Sequence, residues 1–149
     1  MFLIQRTDPQ NIHFRELIFL LDNFLEKRDG KEHAFYHQFN KLDDIKNAVI
    51  CFDNEEAIGC GSFKKYDNKT VEIKRMFVKP DYRGKGAATL VLKELEMWAK
   101  ENNYFSAILE TVKEQPEAVA LYTKNGYTLI PNFGQYKNIK KSVCMCKNF

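Results

Sequence analysis

Apolar residues along this chain recur with two periods, and the switches between them mark out its elements. Phe2–Arg6 reads as a short strand. Thr7-Asp8-Pro9 then predicts a helix start, with Asp8 as N-cap and Pro9 in the first turn. Phe14, Leu17, Ile18, Leu21 and Leu25 follow at the helical spacing. Lys27 and Arg28 suit the negative end of that helix, and Gly30 stops it. His33–Asn40 predicts a short second helix and Leu42–Lys46 a further turn or two.

The pattern then changes to that of strands. Asn47–Asp53, Ala57–Tyr66 and Val71–Val78 are rich in β-branched and aromatic residues and are separated by Asn54-Glu55 and Asp67-Asn68. Turns this short predict an antiparallel meander. Gly59 and Gly61 predict a bulge or a close backbone approach. Simple alternation in the third strand places Val71, Ile73 and Phe77 on one face and Glu72, Lys74, Met76 and Val78 on the other. Lys74 and Arg75 are unusual in such a strand; they either pair with acids at an edge or shape a cleft. Pro80 ends the strand, because it lacks a backbone donor.

An apolar helix follows over Leu90–Lys100, burying Ala88, Val91, Leu92, Leu95, Trp98 and Ala99, and Asn102-Asn103 ends it. Tyr104–Thr111 is the next strand, parallel to Val71–Val78 because a helix joins them. Glu110 lies near its end, as a solvated acid or as a holder of an amine. Pro116 opens another helix, with Gln115 beside its cap and Ala118, Leu121 and Tyr122 on one face. Gly126 closes it, Tyr127–Ile130 is a strand, 131–138 a loop, and Ser142–Lys147 the closing strand. The sum is an α/β (α+β) fold: one domain over 1–149, with a mixed, mostly antiparallel sheet and about four helices.

Composition narrows the function classes. A chain of 149 residues with 44% hydrophobic and 29% charged residues suits one globular core. Its net charge of +3 is too balanced to argue for a nucleic-acid partner. Cys51, Cys60, Cys144 and Cys146 fall within predicted strands and read as small buried hydrophobes. Neither they nor His33 and His37 have zinc spacing, so no metal is expected. No leader or membrane-spanning stretch is evident, which predicts a cytoplasmic protein.

The most informative stretch joins Val71–Val78 to the following helix. Arg83-Gly84-Lys85-Gly86-Ala87-Ala88 puts small residues at a helix start, leaving its first N–H groups uncovered. With the helix dipole added, this predicts a phosphate or diphosphate site. The loop matches neither a P-loop nor a complete dinucleotide fingerprint, since Thr89 stands where the third glycine belongs. Arg83-x-x-Gly86-x-Ala88 after a strand and Pro resembles instead the acetyl-CoA signature of the GCN5-related N-acetyltransferase (GNAT) superfamily. Ala118-x-x-Leu121-Tyr122-x-x-x-Gly126-Tyr127 resembles that superfamily's next motif.

The resemblance implies splayed central parallel strands and acetyl transfer from acetyl-CoA, as co-substrate, to an amine by direct attack. Carried over, Met76 and Val78 pair with the pantetheine, and Gly84, Lys85, Gly86, Ala87 and Ala88 receive the diphosphate on their amides. Arg83 and Lys85 add charge, and Phe77 or Val78 offers an amide to the thioester oxygen. Tyr122 matches the tyrosine that protonates the leaving thiolate, and Glu72 the position of a catalytic glutamate in some members. Many members carry Asn where Gln115 stands. The acceptor side would involve Tyr36 and Asn40, with Glu110 nearby. The expected acceptor is a small or amino-acid-like amine; a peptide N-terminus is a second acceptor class, and a non-catalytic acyl-CoA sensor a rival function. Homodimers are common among similar proteins.

Overall fold

The computed structural model describes residues 1–30 and 44–149. The predicted helix over 33–40, with Tyr36 and Asn40, lies outside them. Of the turns expected over 42–46, only 44–46 are described; Asp44 sits in a turn that leads directly into a strand.

The described elements are β1 (Phe2–Thr7), α1 (Ile12–Asp29), β2 (Asn47–Asp53), β3 (Glu56–Lys65), β4 (Thr70–Val78), α2 (Ala87–Glu101), β5 (Ser106–Val112), α3 (Pro116–Lys124), β6 (Thr128–Ile130) and β7 (Ser142–Asn148). Short 3-10 turns occupy Pro80–Tyr82 and Gly134–Tyr136. The strands form one sheet in the order β1-β2-β3-β4-β5-β7-β6. Only the β4–β5 pair is parallel; the other pairs are antiparallel. The mixed, mostly antiparallel class is as expected, with three α-helices among the described residues rather than about four.

α1 starts later than Asp8 and Pro9 predict. Asn11 is the N-cap, and its side chain accepts from the amides of His13 and Phe14 at 2.9 and 3.4 Å. Asp8 instead closes a local turn, accepting from the Gln10 amide at 2.8 Å. The two short polar side chains compete for nearby amides, and the one adjoining the apolar run caps the helix.

Two apolar layers cover the sheet. α1 lays Phe14, Leu17, Ile18 and Leu21 on Ala48, Ile50, Cys60 and Phe77. On the opposite face, α2 packs Val91, Leu92, Leu95 and Ala99 against Val49, Ile58, Val71, Ile73 and Val78. Thus Met76, Phe77 and Val78 occupy faces opposite to those given by simple alternation. The cause is a bulge: Cys60 pairs with Phe77 and Ser62 with Lys74, so Gly61 alone faces both Arg75 and Met76. Arg75 has φ +62°, the left-handed region. Two β3 side chains meet the displaced carbonyls: Ser62 donates to Lys74 O at 2.7 Å and Cys60 to Arg75 O at 3.5 Å.

Gly61 is required by this packing. A Cβ there would collide with the Met76 sulfur and stand 2.8 Å from Val91 and 3.0 Å from Leu95. Gly61→Ala should therefore destabilise the fold by about 1–3 kcal/mol through overpacking. Urea unfolding followed by circular dichroism measures this as a lower midpoint.

Candidate active site

β4 and β5 are paired only through Thr70–Ser106, Val71–Ala107 and Glu72–Ile108. Beyond that point β5 remains paired with β7 up to Val112, and β4 with β3 up to Val78. The two strands therefore separate along their facing edges, where backbone polar groups lose their ladder partners. Lys79 N donates to Ile58 O at 2.9 Å, on the β3 side. Alternation then turns the N–H and C=O of Val78 towards the opening.

Two cavities meet in this opening. One is lined by Val78, Arg83, Gly84, Gly86, Ala87 and Leu121, among others. The second is lined by Leu21, Arg28, Glu72, Lys74, Glu110 and Tyr136, among others. Met76, Phe77, Gln115, Ala118 and Tyr122 border both. The sheet thus brings most of the sequence-predicted residues to one continuous opening, in two groups joined at Tyr122.

The first group is suited to an anion. Gly86 caps α2 with φ +88° and contributes no side-chain cap; Gly84 has φ +77°. A Cβ at either glycine would meet nothing within 4 Å. The first N–H groups of a 15-residue helix are therefore uncapped and approachable. These features fit a diphosphate.

Arg83 makes contacts that its place in the motif did not suggest. Its Nε donates to Val78 O at 2.9 Å, and its guanidinium lies over Phe24 and Phe77 at 5.7 and 5.8 Å. It seals the end of β4 and links it to α1. Because a carbonyl has two lone pairs, Val78 O keeps one for a ligand amide. Lys85 lies over the Tyr82 ring at 5.5 Å. Gln115 is the N-cap of α3 but makes no side-chain cap bond.

The second group is charged. Glu72 and Lys74 are both buried, with Lys74 Nζ 3.6 Å from a Glu72 oxygen and 3.4 Å from Tyr136 OH. Burial lowers the Lys74 pKa, and Glu72 opposes the shift. Glu110 is not the solvated acid of one sequence reading. It lines the cavity and accepts from the buried Ser142 hydroxyl at 2.7 Å. Loss of solvation raises its pKa to about 7, against the lowering effects of Ser142, Lys74 and Arg28. Tyr122 is buried, with its ring edge-on to Tyr127 at 5.8 Å. Burial, and then the Glu110 charge, raise its pKa, so the phenol stays protonated at neutral pH.

Three site residues were not evident in the sequence: Ser142, Tyr136 and Arg28. Ser142 sits on β7, opposite Val112 on β5; no local pattern encodes that pairing. Among the described residues there is no group of three or more His, Cys, Asp or Glu placed to hold a metal. Nor is any described helix long and apolar enough to cross a membrane.

The acetyltransferase (GNAT) family model matches residues 14–127. The chain is 29% identical over 123 residues to the uncharacterized N-acetyltransferase YobR of Bacillus subtilis, covering 83% of this chain and 48% of that protein. The chain thus spans about half the length of that relative. It is 34% identical over 136 residues to the IAA acetyltransferase of Azospirillum brasilense, covering 89% and 88% of the two. A crystal structure from Klebsiella pneumoniae, provisionally described as an acyl-CoA N-acyltransferase, superposes with a TM-score of 0.82 at 30% identity. It covers 99% of this chain and 97% of that one.

The perturbed acid has a consequence for stability. Glu110 titrates from an ordinary 4.5 when unfolded to about 7 when folded, so the fold favours its protonated form. That stabilisation is full below pH 4.5 and is lost as pH rises through 7. Glu110→Gln should therefore be more stable than the parent at pH 8, by roughly 1–3 kcal/mol, with the difference vanishing in acid. Urea titrations across that pH range measure it.

Proposed function

Because the chain belongs to the acetyltransferase (GNAT) family, we propose that it moves an acetyl group from acetyl-CoA to the amine of a small or amino-acid-like acceptor by direct attack. The observation that carries this reading is the opening between β4 and β5, which joins an uncapped helix N-terminus to a charged cavity at Tyr122. Acetyl-CoA supplies a thioester activated for acyl transfer.

In this reading the amides from Gly84 to Ala88 receive the diphosphate. Met76 and Val78 present the backbone edge along which a pantetheine arm pairs as an added strand. The Val78 amide, turned to the opening while that of Phe77 faces β3, faces the thioester oxygen, where negative charge grows during attack; a preorganised donor at such a point is worth several kcal/mol. Gln115 and Ala118 line the passage where the two cavities meet. Arg83 supports the cofactor wall by fixing the end of β4.

Proton handling falls to Tyr122 and the cavity acids. A lysine-like amine has a pKa of about 10.4 and an α-amine about 8, so the acceptor must shed a proton before it attacks. Glu72 occupies the position implied by the family resemblance, and Glu110 faces the same cavity. As the C–S bond breaks, the departing thiolate takes a proton, which the buried Tyr122 phenol is placed to give.

The direct test is thiol release from acetyl-CoA with a panel of amines and amino acids; no release with any of them would remove the enzyme reading. Tyr122→Phe should lower kcat by about 10²-fold while acetyl-CoA affinity stays within about twofold, since only the leaving step loses its donor. Equal turnover in the variant would exclude Tyr122 from the mechanism. Gly86→Glu should weaken acetyl-CoA binding at least tenfold, about 1.4 kcal/mol by calorimetry. It places a strained backbone, bulk and a negative charge at the diphosphate site.

A further inference from the structure

We propose that Glu110, oriented by Ser142, is the catalytic base that takes the proton from the acceptor ammonium; this rests on the amine-acetylating reading above. The position carries the argument first. Glu110 lies on β5 beyond Ile108, the last residue paired with β4. It is therefore on the separated part of the strand, facing the cavity that Tyr122 borders. Its Oε2 is fixed by the Ser142 hydroxyl at 2.7 Å, and Oε1 has no hydrogen-bond partner among the described residues. A carboxylate with one oxygen anchored and the other available is arranged to receive a proton along a defined direction.

Glu72 is arranged for a different task. It lies on β4 at the last paired position, 3% exposed, against the buried Lys74 ammonium. Its carboxylate is engaged by the Lys74 ammonium at 3.6 Å, in a pair buried on both sides. The Glu72–Lys74 pair is thus a fixed part of the wall. Other groups set the basicity of Glu110. Lys74 on β4 and Arg28 on α1 favour its ionised form; Glu72 disfavours it, and burial disfavours it most. Tyr136 and Cys144 also face this cluster, and both titrate above their ordinary values because they are buried. A base that titrates near the working pH combines availability with proton affinity.

The step balances as follows. One ammonium proton moves to Glu110 Oε1, freeing the nitrogen lone pair. That pair forms the C–N bond as the C–S bond breaks, and the sulfur takes the Tyr122 proton. The amide nitrogen then loses its excess proton, which returns the phenol to its starting form through the cavity, and Glu110 releases its own proton to solvent.

Two small probe amines separate this role from a structural one. Ethylamine is an ammonium at pH 7; methoxyamine is already neutral there and needs no base. Glu110→Gln should lower kcat/KM for ethylamine by about 10²–10³-fold but for methoxyamine by less than about tenfold, with acetyl-CoA binding by calorimetry unchanged. The break near 7 in the wild-type ethylamine profile should be lost in Glu110→Gln, whose rate should instead rise with the free-amine fraction up to an amine pKa of about 10.4. Ser142→Ala removes a bond to the carboxylate and should move that break to higher pH; Glu72→Gln removes a neighbouring negative charge and should move it lower. A break near 7 that persists in Glu110→Gln, equal losses with both amines, or a break abolished by Glu72→Gln would each overturn the assignment. If Glu110→Gln does not fold, the opposed shifts in the other two variants decide the matter, and their absence refutes it. A carbon-13 titration of the Glu110 carboxyl in the wild-type protein needs no acceptor; a midpoint at the ordinary value of about 4.3 would also refute it. Wild-type protein that binds acetyl-CoA but acetylates no amine would count instead against the acetyl-transfer reading itself.

Discussion

The site depends on two parallel strands that stop pairing. After Glu72 and Ile108, β4 and β5 continue in the same sheet through their other neighbours, but no longer through each other. A buried edge with unpaired N–H and C=O groups is costly, so it must be covered by protein, water or ligand. Here the facing edges border cavities. The groove at the α2 N-terminus and the charged cavity are two consequences of the same separation, and Tyr122 stands where they join.

The bulge in β4 determines what faces each cavity. With Gly61 opposite both Arg75 and Met76, the alternation of the strand is reset within one turn of its pleat. Lys74 and Phe77 then belong to the α1 side, and Met76 and Val78 to the α2 side. Without the extra residue, Val78 would project towards α1 and lose its place against α2. Polar side chains on β3 meet the displaced carbonyls, so the irregularity does not leave them bare.

Much of this was legible in the sequence, and the misses have physical causes. Strand positions emerged because β-branched runs alternate with short polar turns, and the helix after Gly86 because its apolar spacing is unbroken. The N-terminus of α1 was misplaced because Asp8 and Asn11 are chemically similar caps; only tertiary packing selects between them. The faces of Met76, Phe77 and Val78 were exchanged because a bulge shifts the period by one residue, although Gly61 signalled that something irregular was near. Glu110 looked solvated because its partner, Ser142, is 32 residues away on β7. The stacking of Arg83 on Phe24 could not be read from the motif, because Phe24 lies on a distant helix.

The remaining irregularity is Arg75, and its geometry explains how the opening is held. A left-handed non-glycine residue costs of order 1–3 kcal/mol and persists only when its surroundings over-determine it. Its side chain is 2% exposed, joined to Asp22 of α1 at 2.6 Å, while Nε and Nη1 have no hydrogen-bond partner among the described residues. Full solvation elsewhere would satisfy those donors, so the buried arrangement is held by the surrounding packing. That packing comes from both sides: Cys60 and Ser62 grip the bulge from β3, and α1 anchors the guanidinium through Asp22. The same stretch of α1 supplies Leu21, Phe24, Leu25 and Arg28 to the charged cavity. One ion pair therefore ties the wall of that cavity to the residue that resets β4. The two cannot move independently without exposing or stranding a buried charge, whose loss of pairing costs several kcal/mol. The α1 wall of the charged cavity is thus joined through Asp22 to the same bulge that turns Val78 towards α2.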